Sequence, residues 1–197
     1  MAKCITVKQP WASLIVEGIM YIKNSTWKTN FRGRVLIHAS LDTMLDLSVL
    51  TKEQYEYVCE HLEPLPTVPV DRYDRGMIIG SVEIVDCVIN HPSIWAEKSR
   101  KIEWVKQSEK SVRIEPTFVN PTYNWVLVNP IKFKKPIPAK GKLSFWESQC
   151  EILECPNCGG YCLHDNHDVM IRNWGNPVHI CEHCSYAILE SEFEFLK

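Results

Sequence analysis

Apolar and polar residues alternate along 3–7, as in a half-buried strand, and the period then lengthens to that of a helix. Trp11, Leu14 and Ile15 recur on one helical face after Gln9 and Pro10. Pro10 suits the first helical position, where a missing N–H costs nothing, and Gly18 marks the stop. The segment GIMYIKNSTW (18–27) returns to period two, with Tyr21, Lys23, Ser25 and Trp27 on one face and Met20, Ile22, Asn24 and Thr26 on the other. A turn at 30–33 leads into a buried strand over 34–39 that ends at Ser40. Asp42 and Thr51 are both plausible helix starts, and 52–62 has amphipathic spacing ended by the proline-rich EPLPTVPVD. A long strand is expected over 77–89, with Gly80 as a bulge or bend. The polar stretch 92–121 predicts a helix or two and a mobile loop. Strands follow at 123–128, 131–133 and 142–145, punctuated by Pro130, Pro136 and Pro138. Short strands around two or three helices, with no repeated βαβ unit, predict an α+β fold built on a small mixed β-barrel.

The 197 residues, 45% of them apolar, suffice for one ordinary domain and a small appendage. No apolar run approaches the roughly 20 residues that span a bilayer, and the start MAKCITVKQPW lacks the pattern of a signal peptide. A cytoplasmic protein with no membrane partner is therefore expected. The net charge of −2 conceals an asymmetry. Residues 1–150 carry 20 Lys/Arg against 16 Asp/Glu, whereas 151–197 carry 2 against 8. The basic excess is concentrated at 101–150, which includes Lys132, Lys134, Lys135, Lys140 and Lys142. Such a run is either a solvated face or a phosphate-contacting surface.

Nine cysteines is an odd number, and four of them form two CxxC pairs, CPNC at 155–158 and CEHC at 181–184. This spacing favours metal ligation over a disulfide framework, and Cys4, Cys59 and Cys87 read as core thiols. Two knuckles that bring Cys155, Cys158, Cys181 and Cys184 together make a closed tetrahedral site suited to structural zinc. Between them, 169–174 and 178–180 flank Gly175-Asn176 as a hairpin, so 149–197 reads as a zinc ribbon. Cys162, His164 and His167 lie near enough in sequence to serve as further ligands, although surface positions are their ordinary use.

The combination of QPWA at 9–12, RGR at 32–34, the glycine-containing strand at 76–82 and NWVL at 124–127 resembles the ASCH domain family of the PUA-like superfold. The resemblance runs through most of 3–147 and implies a small PUA-like mixed β-barrel with flanking helices over 1–148, followed by the ribbon. Members of such a family bind RNA or modified bases in a cleft beside the sheet, and a few are small amidohydrolases or ribonucleases. The family pattern GxKxxExR, aligned on Gly18, places Met20 at the lysine, Lys23 at the glutamate and Ser25 at the arginine. Met20 cannot transfer a proton, so the family's catalytic chemistry is not expected here.

The leading expectation is a nucleic-acid-binding module that takes RNA or another single strand in the cleft. Its candidate residues are Gln9, Trp11, Lys23, Trp27, Lys28, Arg32, His38 and Ser40. Tryptophans stack on bases, while lysine and arginine meet phosphates. The alternative is a protein-interaction or inhibitor module, with the acidic ribbon docking a basic partner through Glu190, Glu192 and Glu194. An enzyme using His38 or Glu83 as base is the third reading.

Overall fold

The structure, a computed structural model, describes residues 2–42, 47–61, 74–102, 117–118, 120–148, 151–154, 161–164, 171–173, 176–180 and 187–189. Its main body, among the described residues, is one six-stranded sheet with two α-helices and a separate two-stranded pair, β5–β6. In chain order these are β1 (Lys3–Val7), α1 (Trp11–Val16), β2 (Ile22–Ser25), β3 (Gly33–Ala39), α2 (Lys52–His61), β4 (Met77–Ile89), β5 (Lys101–Ile102), β6 (Thr117–Phe118), β7 (Tyr123–Pro138) and β8 (Phe145–Glu147). The large sheet runs β2-β7-β4-β3-β1-β8, and β1 pairs with β3 in parallel while the other ladders are antiparallel.

The sheet curls. Phe145 belongs to one edge strand, yet its ring stacks on Trp125 of β7 at 5.4 Å and meets Trp27, just past β2, at 5.3 Å. Trp27 in turn lies edge-on to Trp125 at 4.6 Å. Rings from opposite ends of the strand order meet only if the two edges approach one another. A curled mixed sheet with few helices fits the PUA-like barrel expected from the sequence. The core fills the curl with Ile5, Ile15, Ile22, Ile37, Ile84, Trp95 and Trp125, each at most 2% exposed.

Helix α1 sits against β3 and β4, and each of its ends is fixed by local chemistry. The Gln9 side-chain oxygen accepts the Ser13 N–H, capping the first turn, and its amide donates to the Asp74 carbonyl. Pro10 occupies the cap position itself, one residue before the place predicted. At the other end the Ile19 N–H reaches the Leu14 carbonyl and the Gly18 N–H reaches Ile15, the paired bonds of a Schellman stop. Gly18 has φ +78°, which explains the glycine. Gly80 is required for a different reason: a Cβ there would stand 2.3 Å from the Ile131 carbonyl oxygen and 2.6 Å from Val16 Cγ1.

Three elements differ from the sequence expectation. Strand β7 continues through Pro130, Pro136 and Pro138 instead of breaking into two. It pairs with β2 only over Tyr123–Val126, so these prolines fall where one side of the strand has no ladder to interrupt. The last strand of the sheet is Phe145–Glu147 rather than 142–145, because the Lys142 carbonyl accepts the Thr6 hydroxyl and Ser144 turns the chain at φ +61°. The described part of 92–121 holds no helix; it contains a turn at 93–96 and the antiparallel pair β5–β6.

Beyond the sheet, β9 (Glu151–Glu154) pairs with β10 (Tyr161–His164), and β11 (Ile171–Asn173) pairs with β12 (Asn176–Ile180) as the expected hairpin. A third strand, β13 (Ala187–Leu189), joins β12 in antiparallel register. Among the described residues no helix is long and apolar enough to cross a membrane.

Candidate nucleic-acid interface

A cleft of about 570 Å³ opens between the end of β1, helix α1, strand β2, the start of α2 and the loop 94–97. Trp11 and Ile15 of α1, Met20 and Lys23 along the approach to and within β2, and Trp95 of the loop form its lining. The lining mixes apolar side chains with polar ones, and the volume lies within the usual range of about 300–1,000 Å³ for a small-ligand pocket.

The loop that supplies Trp95 is held by a pair of asparagines. Asn24 of β2 donates its amide to the Trp95 carbonyl at 2.9 Å, and its oxygen accepts the Glu97 N–H at 3.1 Å. Asn124 of β7, directly opposite in register and fully buried, donates to that same Asn24 oxygen at 2.9 Å and to the Glu97 carbonyl at 3.2 Å. Its own oxygen accepts the His91 N–H at 2.9 Å. Buried amides are costly unless satisfied, and here every bond goes to the loop or to the partner asparagine. Helix α2 adds a second tether, since Gln54 donates to the Ile94 carbonyl at 2.8 Å. Gln54 also closes a reciprocal cap with Thr51, each side chain accepting the other's N–H, so the start of α2 is fixed beside the cleft.

Lys23 is the chemically unusual group. It lines the cleft, and no carboxylate pairs with it among the described residues. Its ammonium lies 4.6 Å from the centroid of the Trp125 ring, a cation–π contact. Burial without a counter-charge lowers its pKa from 10.5 to about 8. The charged neighbours that also line the cleft are Lys8, which pairs with Asp42 at 3.2 Å, and Glu97.

Residues 5–137 match the ASCH domain family. The chain belongs to that family. Among curated proteins the ASCH chain is 26% identical to activating signal cointegrator 1 of Homo sapiens and 25% identical to that of Mus musculus. Each alignment covers 149 residues, 76% of this chain but only 22% of the relative. The chain therefore spans about a fifth of the length of these relatives.

Within the ASCH domain, two of the eight residues predicted from the sequence line the cleft: Trp11 and Lys23. Gln9 is wholly buried as the cap of α1. Trp27 packs in the aromatic cluster with Trp125 and Phe145, and its carbonyl accepts the Trp125 indole N–H. Lys28 is exposed outside the cleft, and Arg32 is held by Asp86 at 3.0 Å and by the Thr29 and Phe31 carbonyls. His38 is 1% exposed, bonded through Nε2 to the Ala139 carbonyl and set edge-on to Trp146. Desolvation lowers its pKa, with the Ala139 bond opposing, which leaves a neutral interior imidazole at pH 7. Ser40 accepts the Asp42 N–H. The other candidate base, Glu83, accepts from Arg34 and Asn129.

The family pattern is altered at its three charged positions, yet the cleft still contains a lysine. Met20 and Lys23 both line it, whereas Ser25 is buried and accepts the Trp27 N–H. Trp95, Asn24 and Asn124 were missed as site residues. A usable signal for Trp95 was the short apolar run SIWA at 93–96 inside an otherwise polar stretch. Cys155, Cys158, Cys181 and Cys184 lie outside the described residues, as do Glu190, Glu192 and Glu194. Among the described residues there is no cluster of metal-ligating side chains.

Proposed function

We propose that this ASCH domain is a single-stranded nucleic-acid-binding module that takes one base into the 570 Å³ cleft. The observation that supports this most directly is the partly exposed Trp11 indole beside the Lys23 ammonium, which has no carboxylate partner among the described residues, in one cavity. Indoles stack on any base, and a lysine meets the phosphate or an acceptor on the base edge. Lys132, Lys140 and Lys142 are exposed on the same domain and supply the basic character through which a strand's backbone is attracted, although Lys132 is partly engaged by Glu17. RNA and DNA are both within this reading.

Fluorescence anisotropy with short single-stranded and duplex RNA and DNA, each at two salt concentrations, is the test. Single strands are expected to bind more tightly than duplexes, with affinity falling as salt rises. Trp11→Ala is expected to weaken binding by about 10-fold or more, the range of one lost stacking contact. An absence of binding at low salt would refute the reading.

In the C-terminal region, four thiolates from Cys155, Cys158, Cys181 and Cys184 are assigned a structural zinc. In support, the first pair falls in the link between the paired strands β9 and β10, and the second in the link between β12 and β13. Metal analysis of the purified chain is expected to give about one zinc per chain, lost together with the far-ultraviolet signal of the ribbon on chelation. Absence of bound metal, with Cys155, Cys158, Cys181 and Cys184 all reactive toward a thiol reagent, would exclude the assignment.

A further inference from the structure

The polar side chains that line the cleft fall into two groups. Thr6, Lys8, Asn24, Thr51, Gln54 and Glu97 each have a partner within the protein. The groups left without an acceptor among the described residues are all donors. They are the Lys23 ammonium and the indole N–H groups of Trp11 and Trp95, of which the Trp95 N–H is buried. Trp95 is 2% exposed, so its N–H is enclosed and is not a contact for a ligand that enters the cleft, which leaves the Lys23 ammonium and the Trp11 N–H. Among the described residues no carboxylate is in ion-pair contact with Lys23, so its ammonium is free to meet an anion, and Glu97 elsewhere in the lining favours a phosphate seated on the Lys23 side.

On the reading that the cleft takes a nucleotide, we propose that it is selective for one bearing a phosphomonoester, the phosphorylated end of a strand or a free nucleoside monophosphate, whose phosphate meets Lys23. A phosphomonoester presents about −1.5 to −2 charge and three strong acceptor oxygens at pH 7. An internal phosphodiester carries a single charge and must thread chain past both of its sides. The donor-only set matches the monoester better in charge and in number of acceptors. The partly exposed Trp11 indole then lies beside the attached base or ribose, which accounts for a cavity much larger than a phosphate alone requires.

The experiment uses the full chain and one oligonucleotide sequence in three forms, 5′-phosphorylated, 3′-phosphorylated and unphosphorylated, together with a free nucleoside monophosphate and its nucleoside. Affinities are read by anisotropy for the strands and by tryptophan quenching for the free compounds. One terminal phosphate is expected to tighten strand binding about 10- to 100-fold, the usual range for a hydrogen bond to a charged group. Lys23→Met is expected to bring the phosphorylated-to-unphosphorylated ratio close to one, and Lys23→Arg to keep most of it. If strands bind but the ratio is already near one in the native chain, or is unchanged in Lys23→Met, the inference is overturned while the nucleic-acid reading stands. If the monophosphate binds through Lys23 but no strand of any form does, the reading falls and the phosphate site holds for a free nucleotide. If neither binds, both are overturned.

Discussion

Replacing Lys23 by methionine isolates what an ammonium with no carboxylate partner among the described residues does to the fold. In the native chain its pKa falls from 10.5 to about 8 through burial alone. At about 1.4 kcal/mol per unit, holding the charged form in the fold costs about 3 kcal/mol. The Trp125 ring at 4.6 Å returns about 1–2 kcal/mol of this as a desolvated cation–π contact. Lys23→Met is therefore expected to stabilise the unliganded protein by about 1–2 kcal/mol at pH 7, or roughly 3–6 °C for a domain of this size. The size of this difference changes with pH in a defined window. Below pH 8 the lysine is charged in both folded and unfolded chains, and the native protein carries the full cost. Between about 8 and 10.5 the folded state has released the proton that the unfolded state retains, so native stability rises with pH. The gap between native and variant should consequently close across that window. Urea unfolding of both proteins at pH 7, 8.5 and 10 measures it. A variant less stable than the native chain by more than about 1 kcal/mol, or a gap that does not change with pH, would refute the reasoning, because packing rather than desolvation would then dominate.

Two further perturbations address the cleft wall and its scaffold. Asn124→Ala removes the bonds to Asn24, His91 and Glu97 in a buried site and is expected to cost about 2–4 kcal/mol. It should also raise amide hydrogen exchange at His91 and Glu97; unchanged protection there would show that the asparagine pair does not tether the loop. Gly80→Ala places a methyl 2.3 Å from the Ile131 carbonyl, where backbone must move, and is expected to lose about 3 kcal/mol or more in urea unfolding. A near-neutral result would mean that β4 and β7 separate easily at their bulge.

Much of this fold is written locally. Gly18 is in the sequence because a Schellman stop needs φ > 0, and the pair Thr51 and Gln54 has the spacing of a reciprocal cap, so both helix boundaries next to the cleft are legible from a few neighbouring residues. The period-two segment 18–27 correctly declares a strand, and the altered charged positions at Met20, Lys23 and Ser25 are visible without coordinates. What the alternation leaves open is what covers each face. Lys23 and Trp27 share one side of the same segment, yet one lines the cleft and the other is sealed against Phe145. That difference is made by the curl of the sheet, which brings in a ring more than a hundred residues away, and by the 94–97 loop drawn over β2 by Asn24 and Asn124. Local pattern reports the burial preference of a residue through its neighbours in sequence, whereas these partners lie about 70 to 120 positions distant and contribute no period to the segment they cover. The sequence by itself determined most of the strands, the helix boundaries beside the cleft and the family; only the tertiary structure decided that Lys23 lines the cavity with no carboxylate partner among the described residues, that Trp11 stays partly exposed beside it and that Trp27 is sealed in the aromatic cluster.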